Sequence, residues 1–489
     1  MAPKAARYDV VVVGGGPAGV TAALRARELG ASTALVERTH MGGTCTNDGC
    51  VPTRVLAKAA RLMRDAGQCR AYGLNLPALP EVDFTALIQR TQQIVYQMHE
   101  KKQLIDHLHD VKVDTFTEVG DARFIDPHTL GLPDGRTIEG EQFILCVGGA
   151  PRRLPFPGAE YALTHSDVWT MSGLPAAIAI VGGSATGCQL ASIFNAFGSK
   201  VTVLDIAPQI LPTEDGDVST TVAEHFSAHG MTIEAGISGI DRIEKTADGL
   251  TLVYTKDEQT HTLPVDVVVM AVGWPGNVDA LNLEAAGVRT ERSYIVTDDH
   301  LRTTAPHIYA AGDITGRMML VQSASYQARL AVDNALTTLQ TMVGQRHTAH
   351  GGFTDPEYGG VGLTEADAQE RDLPIITATI PYADLDRAVI DGHTSGFCKL
   401  IVHRETYRVL GAHVVGEQAV EVVQMIAAGM AGGLTIDRLA DLEVAYPTFA
   451  AIVGLAARQI VRELGMIPVS KEWRTLKKVR GVEWERQEI

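Results

Sequence analysis

The chain has 489 residues, 45% of them hydrophobic and 20% charged, with a net charge of −16 at pH 7. That length exceeds what one core supports and implies about three domains, with the composition of a folded protein. The acidic balance argues against nucleic acid and anionic membrane as partners, since both need a basic face.

No apolar run approaches the roughly 20 residues needed to cross a bilayer. The opening MAPKAARYDV passes from a short basic lead into a strand without an apolar signal core, so the expected location is the cytoplasm. Residues 8–19 then read YDVVVVGGGPAG. The all-valine run is the pattern of a parallel strand buried on both faces. Gly14, Gly16 and Gly19 follow in G-x-G-x-x-G spacing. Gly14 makes the tight turn, Gly16 lets the backbone approach a pyrophosphate, and Gly19 lets the next helix pack on the strand. ASTALVE reads as a second strand ending in Glu37, where an acid accepts hydrogen bonds from a ribose 2′-OH.

Residues 42–50, GGTCTNDGC, place Cys45 and Cys50 in a turn-rich segment just before the helical pattern CVPTRVLAKAARLMRDA. Six cysteines in so long a chain are not a disulfide framework. Four intervening residues match zinc spacing poorly, and no second Cys/His pair completes four ligands. No metal site is expected. A redox couple is the favoured reading over a metal staple, and a helix N-terminus there favours thiolate over thiol. Cys69, Cys146, Cys188 and Cys398 read as core positions in helix, strand, helix and strand.

The segment FILCVGGAPRRLPFPG (143–158) has the Gly-Gly and Pro breaks of a crossover. A second copy of the first pattern follows, AIAIVGGSATGCQLASIFNAFGSKVTVLD (177–205). Gly182 and Gly187 hold their places, Ser184 stands where the middle glycine would be, and Asp205 ends the second strand. The Ser184 hydroxyl can still serve a phosphate. Asp205, with no Arg in DIAPQILP, favours a free 2′-OH and hence NADH over NADPH. Further on, RTTAPHIYAAGDITG (302–316) reads as a strand ending at Gly312–Asp313, where a carboxylate could hold a hydroxyl chain.

Taken in order, GGGPAG, GGTCTNDGCVPTR, the second fingerprint, AAGD and FTDPEYGGVGLTEADA (353–368) resemble the FAD-dependent pyridine nucleotide–disulfide oxidoreductases. This is the family of dihydrolipoyl dehydrogenase, glutathione reductase and mercuric reductase. The resemblance implies an α/β fold of two Rossmann-like dinucleotide-binding domains and an α+β C-terminal dimerisation domain. The implied boundaries are 1–150 for the first part of the FAD domain, 151–275 for the NAD(P) domain, 276–346 for the return to the FAD domain, and 347–489 for the dimerisation domain. It further implies FAD near Gly14, Gly16, Gly19, Glu37, Gly43, Thr44, Gly120, Gly149, Gly312 and Asp313. NADH or NADPH would lie on Gly182, Ser184, Gly187, Asp205 and Gly273. Electrons would pass to a Cys45–Cys50 disulfide, with Cys50 the thiolate against the flavin and Cys45 the outer, attacking thiol. The expected assembly is a homodimer acting on a small-molecule or metal-ion acceptor.

Two departures from the family pattern stand out. The His-Pro-Thr-x-x-Glu proton shuttle corresponds to AYPTFAA, so Tyr446 replaces the His and Ala451 the Glu. A phenol with an ordinary pKa of about 10 is a weak acid/base at neutral pH. The family's Lys–Glu pair beside the flavin becomes Arg54 and Gln189, which leaves a positive charge without its counter-ion; Arg54 is expected to stabilise reduced flavin and thiolate. The stretch 416–434 has helical apolar spacing and reads as buried interface, and the charged tail 469–489 as a solvated helix or a partner-facing extension.

Overall fold

The computed structural model describes residues 6–247, 249–344 and 347–466; the charged tail lies outside them. The chain begins with β1 (Ala6–Val13), α1 (Pro17–Glu28) and β2 (Thr33–Val36), with β1 and β2 parallel. Val10 and Val12 pack on the α1 side of the sheet, while Val11 and Val13 pack into the core on the other side. Two buried faces are why the last four residues of the strand, Val10 to Val13, are all valine. Next come α2 (Gly43–Asn47), α3 (Cys50–Gln68), α4 (Phe84–Lys102) and α5 (Leu104–Asp110). The sheet is completed by β3 (Val113–Phe116), β4 (Arg123–Asp126), β5 (Thr129–Gly131) and β6 (Thr137–Leu145).

A second sheet follows, built from β7 (Leu163–Thr164), β8 (Ala177–Val181), β9 (Lys200–Asp205), β10 (Thr232–Ala235) and, later, β14 (Val267–Met270). Its order is β10-β9-β8-β14-β7 and every pairing is parallel. Helices α6 (Ala185–Ala196) and α7 (Gly216–Ala228) cross over it. An antiparallel sheet of β11 (Gly239–Thr246), β12 (Gly249–Lys256) and β13 (Gln259–Val265) is inserted before β14. After a short hairpin, β15 (Thr290–Glu291) with β16 (Tyr294–Ile295), the chain returns to the first sheet: β17 (Ile308–Ala310) pairs parallel with β6. Helix α8 (Val321–Leu336) packs against α1 beneath it, through the core that Ala22, Ala23, Ala328 and Ala331 share.

The last unit is an antiparallel sheet in the order β18-β19-β22-β21-β20. Its strands are β18 (His350–Gly352), β19 (Tyr358–Gly362), β20 (Ile375–Pro381), β21 (Phe397–His403) and β22 (Val409–Val415). Helices α9 (Glu365–Glu370), α10 (Asp386–Ile390), α11 (Ala419–Ala431), α12 (Ile436–Ala440) and α13 (Ala451–Glu463) complete it. The stretch expected to be an interface is α11, and its apolar face, Val422, Val423, Ile426 and Met430, packs into this unit's own core. Helical periodicity marks a buried face without saying whose surface covers it.

Lys399 ties the last unit to the second nucleotide fold. Its ammonium donates to Asp215 (2.9 Å), Asp217 (2.8 Å) and Glu365 (2.6 Å), with Lys399 and Asp215 side chains only 5% and 1% exposed. Removing one partner of a buried pair strands the other charge, at a cost of about 3–5 kcal/mol. Lys399→Met is therefore expected to lose about 3 kcal/mol, read as a lower urea midpoint at an unchanged slope; an unchanged midpoint refutes the buried-pair reading.

Candidate active site

The two glycine turns are built alike. Gly14 and Gly182 have φ of 109° and 107°, and a Cβ on either would stand 2.3 Å from a carbonyl oxygen, of Cys146 or of Ala271. A Cβ on Gly19 or Gly187 would stand 1.7 or 1.8 Å from the carbonyl oxygen of Gly14 or Gly182. These four glycines are demanded by the protein's own backbone. Gly16 is not: its φ is −74°, and an added Cβ would meet only Gly43 Cα, at 3.8 Å. The equivalent Ser184 has φ −80°, so its side chain carries no strain. Both residues cap a helix whose first N–H groups receive no side-chain acceptor, which leaves those donors directed at an incoming phosphate.

The acids at the strand ends do more than wait for a ribose. Glu37 accepts from the N–H groups of Gly15 (2.6 Å) and Thr39 (2.7 Å), and Asp205 from those of Gly183 (2.5 Å) and Ala207 (2.7 Å). Each carboxylate braces its own glycine turn while lining the cavity beyond it.

A cavity of about 1550 Å³ runs along both turns. Gly14, Gly16, Glu37, Gly43, Thr44, Gly120, Gly149, Gly312 and Asp313 line it from the first fold, and Gly182, Ser184, Asp205 and Gly273 from the second. Gly19 and Gly187 lie beneath the turns and off the cavity wall. The residues present fit a dinucleotide. Burial raises the Asp313 carboxyl above its ordinary range, against the pull of the neighbouring Trp274 indole N–H.

Cys45, on α2, and Cys50, the first residue of α3, line the same cavity, with Cys50 exposed on its wall. Their thiols hydrogen-bond one another, and that bond draws Cys45 down to about 7 while raising Cys50. Two thiols sharing one proton ionise in one easy and one hard step, which belong to the pair. Lys102 favours the charge on Cys45, and Asp313 opposes it. The nearby cation therefore stands on α4, on the Cys45 side of the pair. Lys102 also donates to Thr46 Oγ1 (3.1 Å), and His99 bonds Asn47 Oδ1 (2.8 Å), so α4 holds both residues that follow Cys45.

Arg54 and Gln189 both line the cavity, yet they meet through a third residue. The Arg54 guanidinium lies 3.5 Å over the Phe353 ring, and Gln189 Oε1 accepts from the Phe353 N–H (3.3 Å). Burial lowers the Arg54 pKa against the pull of Glu357, so its charge has an acid nearby. Phe353 lies in the last unit, far away in sequence, and only the fold brings it here. Tyr446 does not line the cavity; it is 61% exposed and donates to Asp386 Oδ2 (2.9 Å). Cys146, Cys188 and Cys398 are buried as expected, but Cys69 is not a core residue: it sits at the exposed turn where α3 ends.

Three residues not singled out in the sequence complete the wall. Asp48, between the two cysteines, accepts from Ser166 Oγ at 2.5 Å, and His165 Nε2 stands 3.3 Å from the same oxygen. The Trp169 indole N–H donates to the Asp48 carbonyl (2.8 Å). The only sequence signal was an acid inside a redox turn, and its partners lie over 110 residues away.

Two dinucleotide turns flanking a dithiol on one cavity define a flavin-dependent, nicotinamide-linked redox protein. The pyridine nucleotide–disulphide oxidoreductase model matches residues 8–328 and its dimerisation domain residues 348–457, and the chain belongs to this family of enzymes, which use FAD and NAD(P)H. The mercuric reductase of Staphylococcus aureus is 30% identical over 453 residues, 92% of this chain and 82% of that one. The dihydrolipoyl dehydrogenase of Chlamydia muridarum is 30% identical over 452 residues, 91% of this chain and 95% of that one. Among solved structures, the HOCl-induced flavoprotein disulfide reductase RclA of Escherichia coli superposes with a TM-score of 0.82 at 28% identity, covering 93% of this chain and all of that one; its Cu(II) complex superposes equally well. Among the described residues, no helix is long and apolar enough to cross a membrane.

Proposed function

We propose that the chain is a homodimeric reductase that draws electrons from NADH in preference to NADPH and delivers them through Cys45 and Cys50 to an organic disulfide or another thiol-reactive acceptor. The observation that carries this reading is the hydrogen-bonded Cys45–Cys50 pair on the wall of the cavity that both glycine turns share. Bound FAD supplies the two-electron link between nicotinamide and disulfide. Gly14, Gly16 and Glu37 hold its adenosine and phosphate end, and Asp313 and Gly312 the hydroxyl chain. Gly182, Ser184 and Asp205 hold the nicotinamide nucleotide, where exposed Ile206 offers no positive charge to a 2′-phosphate. Arg54, stacked on Phe353, sets a positive charge beside the reduced centre, and Cys45 attacks the acceptor.

Tyr446 and Ala451 in place of the family's His and Glu argue against efficient dihydrolipoyl dehydrogenase or glutathione reductase turnover, since an acid–base partner contributes about 10²–10⁴-fold. A second reading is reduction of a soft metal ion, which thiolates bind well. The relatives named mercuric reductase, and the copper complex of RclA, favour keeping it. A panel of disulfides, Hg(II), Cu(II) and quinones with NADH and NADPH decides between them. The proposal expects disulfide turnover that needs both cysteines, at a higher kcat/KM with NADH. Turnover confined to quinones and indifferent to the cysteines would place the chemistry on the flavin alone.

A further inference from the structure

The redox turn carries a cation at its back. Helix α4 reaches the short helix α2 through two residues one turn apart, His99 and Lys102. His99 Nε2 bonds Asn47 Oδ1 at 2.8 Å, and the Lys102 ammonium donates to Thr46 Oγ1 at 3.1 Å. Asn47 in turn donates to the carbonyls of Met41 (3.2 Å) and Gly43 (3.0 Å), so the turn is braced within itself as well as against α4. Thr46 is 1% exposed and follows Cys45 directly, with their Cα atoms about 3.8 Å apart. An ammonium anchored on Thr46 thus stands close enough for its field to reach the Cys45 sulfur, and it does favour the charged form there. Lys102 lies off the cavity wall, so ligands that fill the cavity leave this charge in place.

We propose that Lys102 is a positioning residue of the redox turn, whose fixed positive charge keeps the reduced Cys45–Cys50 pair ionised and nucleophilic at neutral pH. The role rests on the cysteines being the redox pair. Two electrons and one proton break the S–S bond and leave one thiol and one thiolate, the proton shared across the hydrogen bond between the sulfurs. The family's His–Glu pair is replaced here by Tyr446 and Ala451. The ammonium supplies by its field what a base would supply by taking a proton: it disfavours a second proton on the pair.

The charged groups facing the pair are Lys102 from α4 and Asp313 from the turn after β17, and they act in opposite senses. Beside Lys102 on α4, the His99 pKa is lowered by burial, by Lys102 and by His40. His99 is therefore neutral at pH 7, and of these two contacts only Lys102 brings charge to the turn. Its side chain is exposed to solvent, so salt screens its effect.

The test is the pH dependence of iodoacetamide alkylation of Cys45 and Cys50, resolved by mass spectrometry. Holoenzyme is reduced with NADH or, separately, with dithiothreitol and desalted, as wild type, Lys102→Gln and Lys102→Arg. Lys102→Gln keeps a donor for Thr46 and removes the charge. Its thiol limb is expected about half a pH unit above that of wild type at about 0.01 M salt, less than the roughly 1–3 units of a close, desolvated charge. The gap is expected to close near about 1 M salt, where the Debye length is only about 3 Å, and Lys102→Arg is expected to stay with wild type. A Lys102→Gln limb superposable on wild type overturns the proposal. So does a gap undiminished by salt, or one that Lys102→Arg shows equally, since either marks a packing effect. Cysteines alkylatable after dithiothreitol but not after NADH would instead overturn the redox-pair reading itself, and this role with it.

Discussion

Serine at Cys45 or Cys50 is expected to lower NADH-dependent disulfide reduction by a factor on the order of 10³ or more, because the covalent route through a mixed disulfide is lost. Reduction of the flavin by NADH should survive in both variants, since neither cysteine touches the second glycine turn. The two differ in what they leave behind. With Cys45 replaced, Cys50 remains on the cavity wall as the one sulfur of the pair. With alanine rather than serine at Cys50, Cys45 keeps Lys102 and loses the bond that draws it down to about 7. The Cys45 alkylation profile of Cys50→Ala is accordingly expected to shift to higher pH, and that of the wild-type reduced pair to rise as pH increases through about 7. Stopped-flow reduction and turnover with one disulfide check the first claim. Full turnover in either variant would remove the cysteines from the mechanism.

Alanine at Gly19 and at Gly187 is expected to break two different functions by one steric cause. The new methyl would stand 1.7 Å from the Gly14 oxygen in the first case and 1.8 Å from the Gly182 oxygen in the second. Both atoms belong to backbone at the foot of a parallel sheet, so no side-chain rotation relieves the clash. The helix must move off its strand, at a cost of about 3 kcal/mol or more. Gly19→Ala should purify with little or no bound FAD and a lowered Tm. Gly187→Ala should retain FAD, accept electrons from dithionite, and respond poorly to NADH. Flavin-to-protein absorbance ratios and paired titrations with dithionite and NADH separate the two outcomes. A yellow, thermally normal Gly19→Ala protein would show that the turn tolerates a displacement the packing forbids.

Much of this site is legible in the chain because local geometry dictates it. A valine run buried on both faces, a turn that accepts only glycine at Gly14, and an acid at the end of the next strand are all satisfied within 30 residues. The second copy repeats them, and even its exception is explained locally, since Ser184 occupies an ordinary extended conformation. Cys45 and Cys50 are likewise close in sequence, and the start of α3 brings them to the cavity.

The remaining features depend on contacts between distant segments, which carry no short-range pattern. Arg54 and Gln189 read as a bare pair with a missing counter-ion; packing puts Phe353 between them and Glu357 near the charge. Cys69 looks like the end of a buried helical face and is only half-buried, because the helix stops there. The α11 stripe reads as an interface, yet it is covered by the chain's own sheet. The Asp48–Ser166–His165 chain has no sequence signature, because a carboxylate in a turn and a His-Ser step in a connector become partners only when the two segments pack. The sequence by itself determined the two nucleotide turns, the dithiol and their order, since steric and hydrogen-bonding needs of single turns select those residues. Only the tertiary structure decided which charge faces which sulfur, because burial and neighbours more than 50 residues away set the proton affinity of each group.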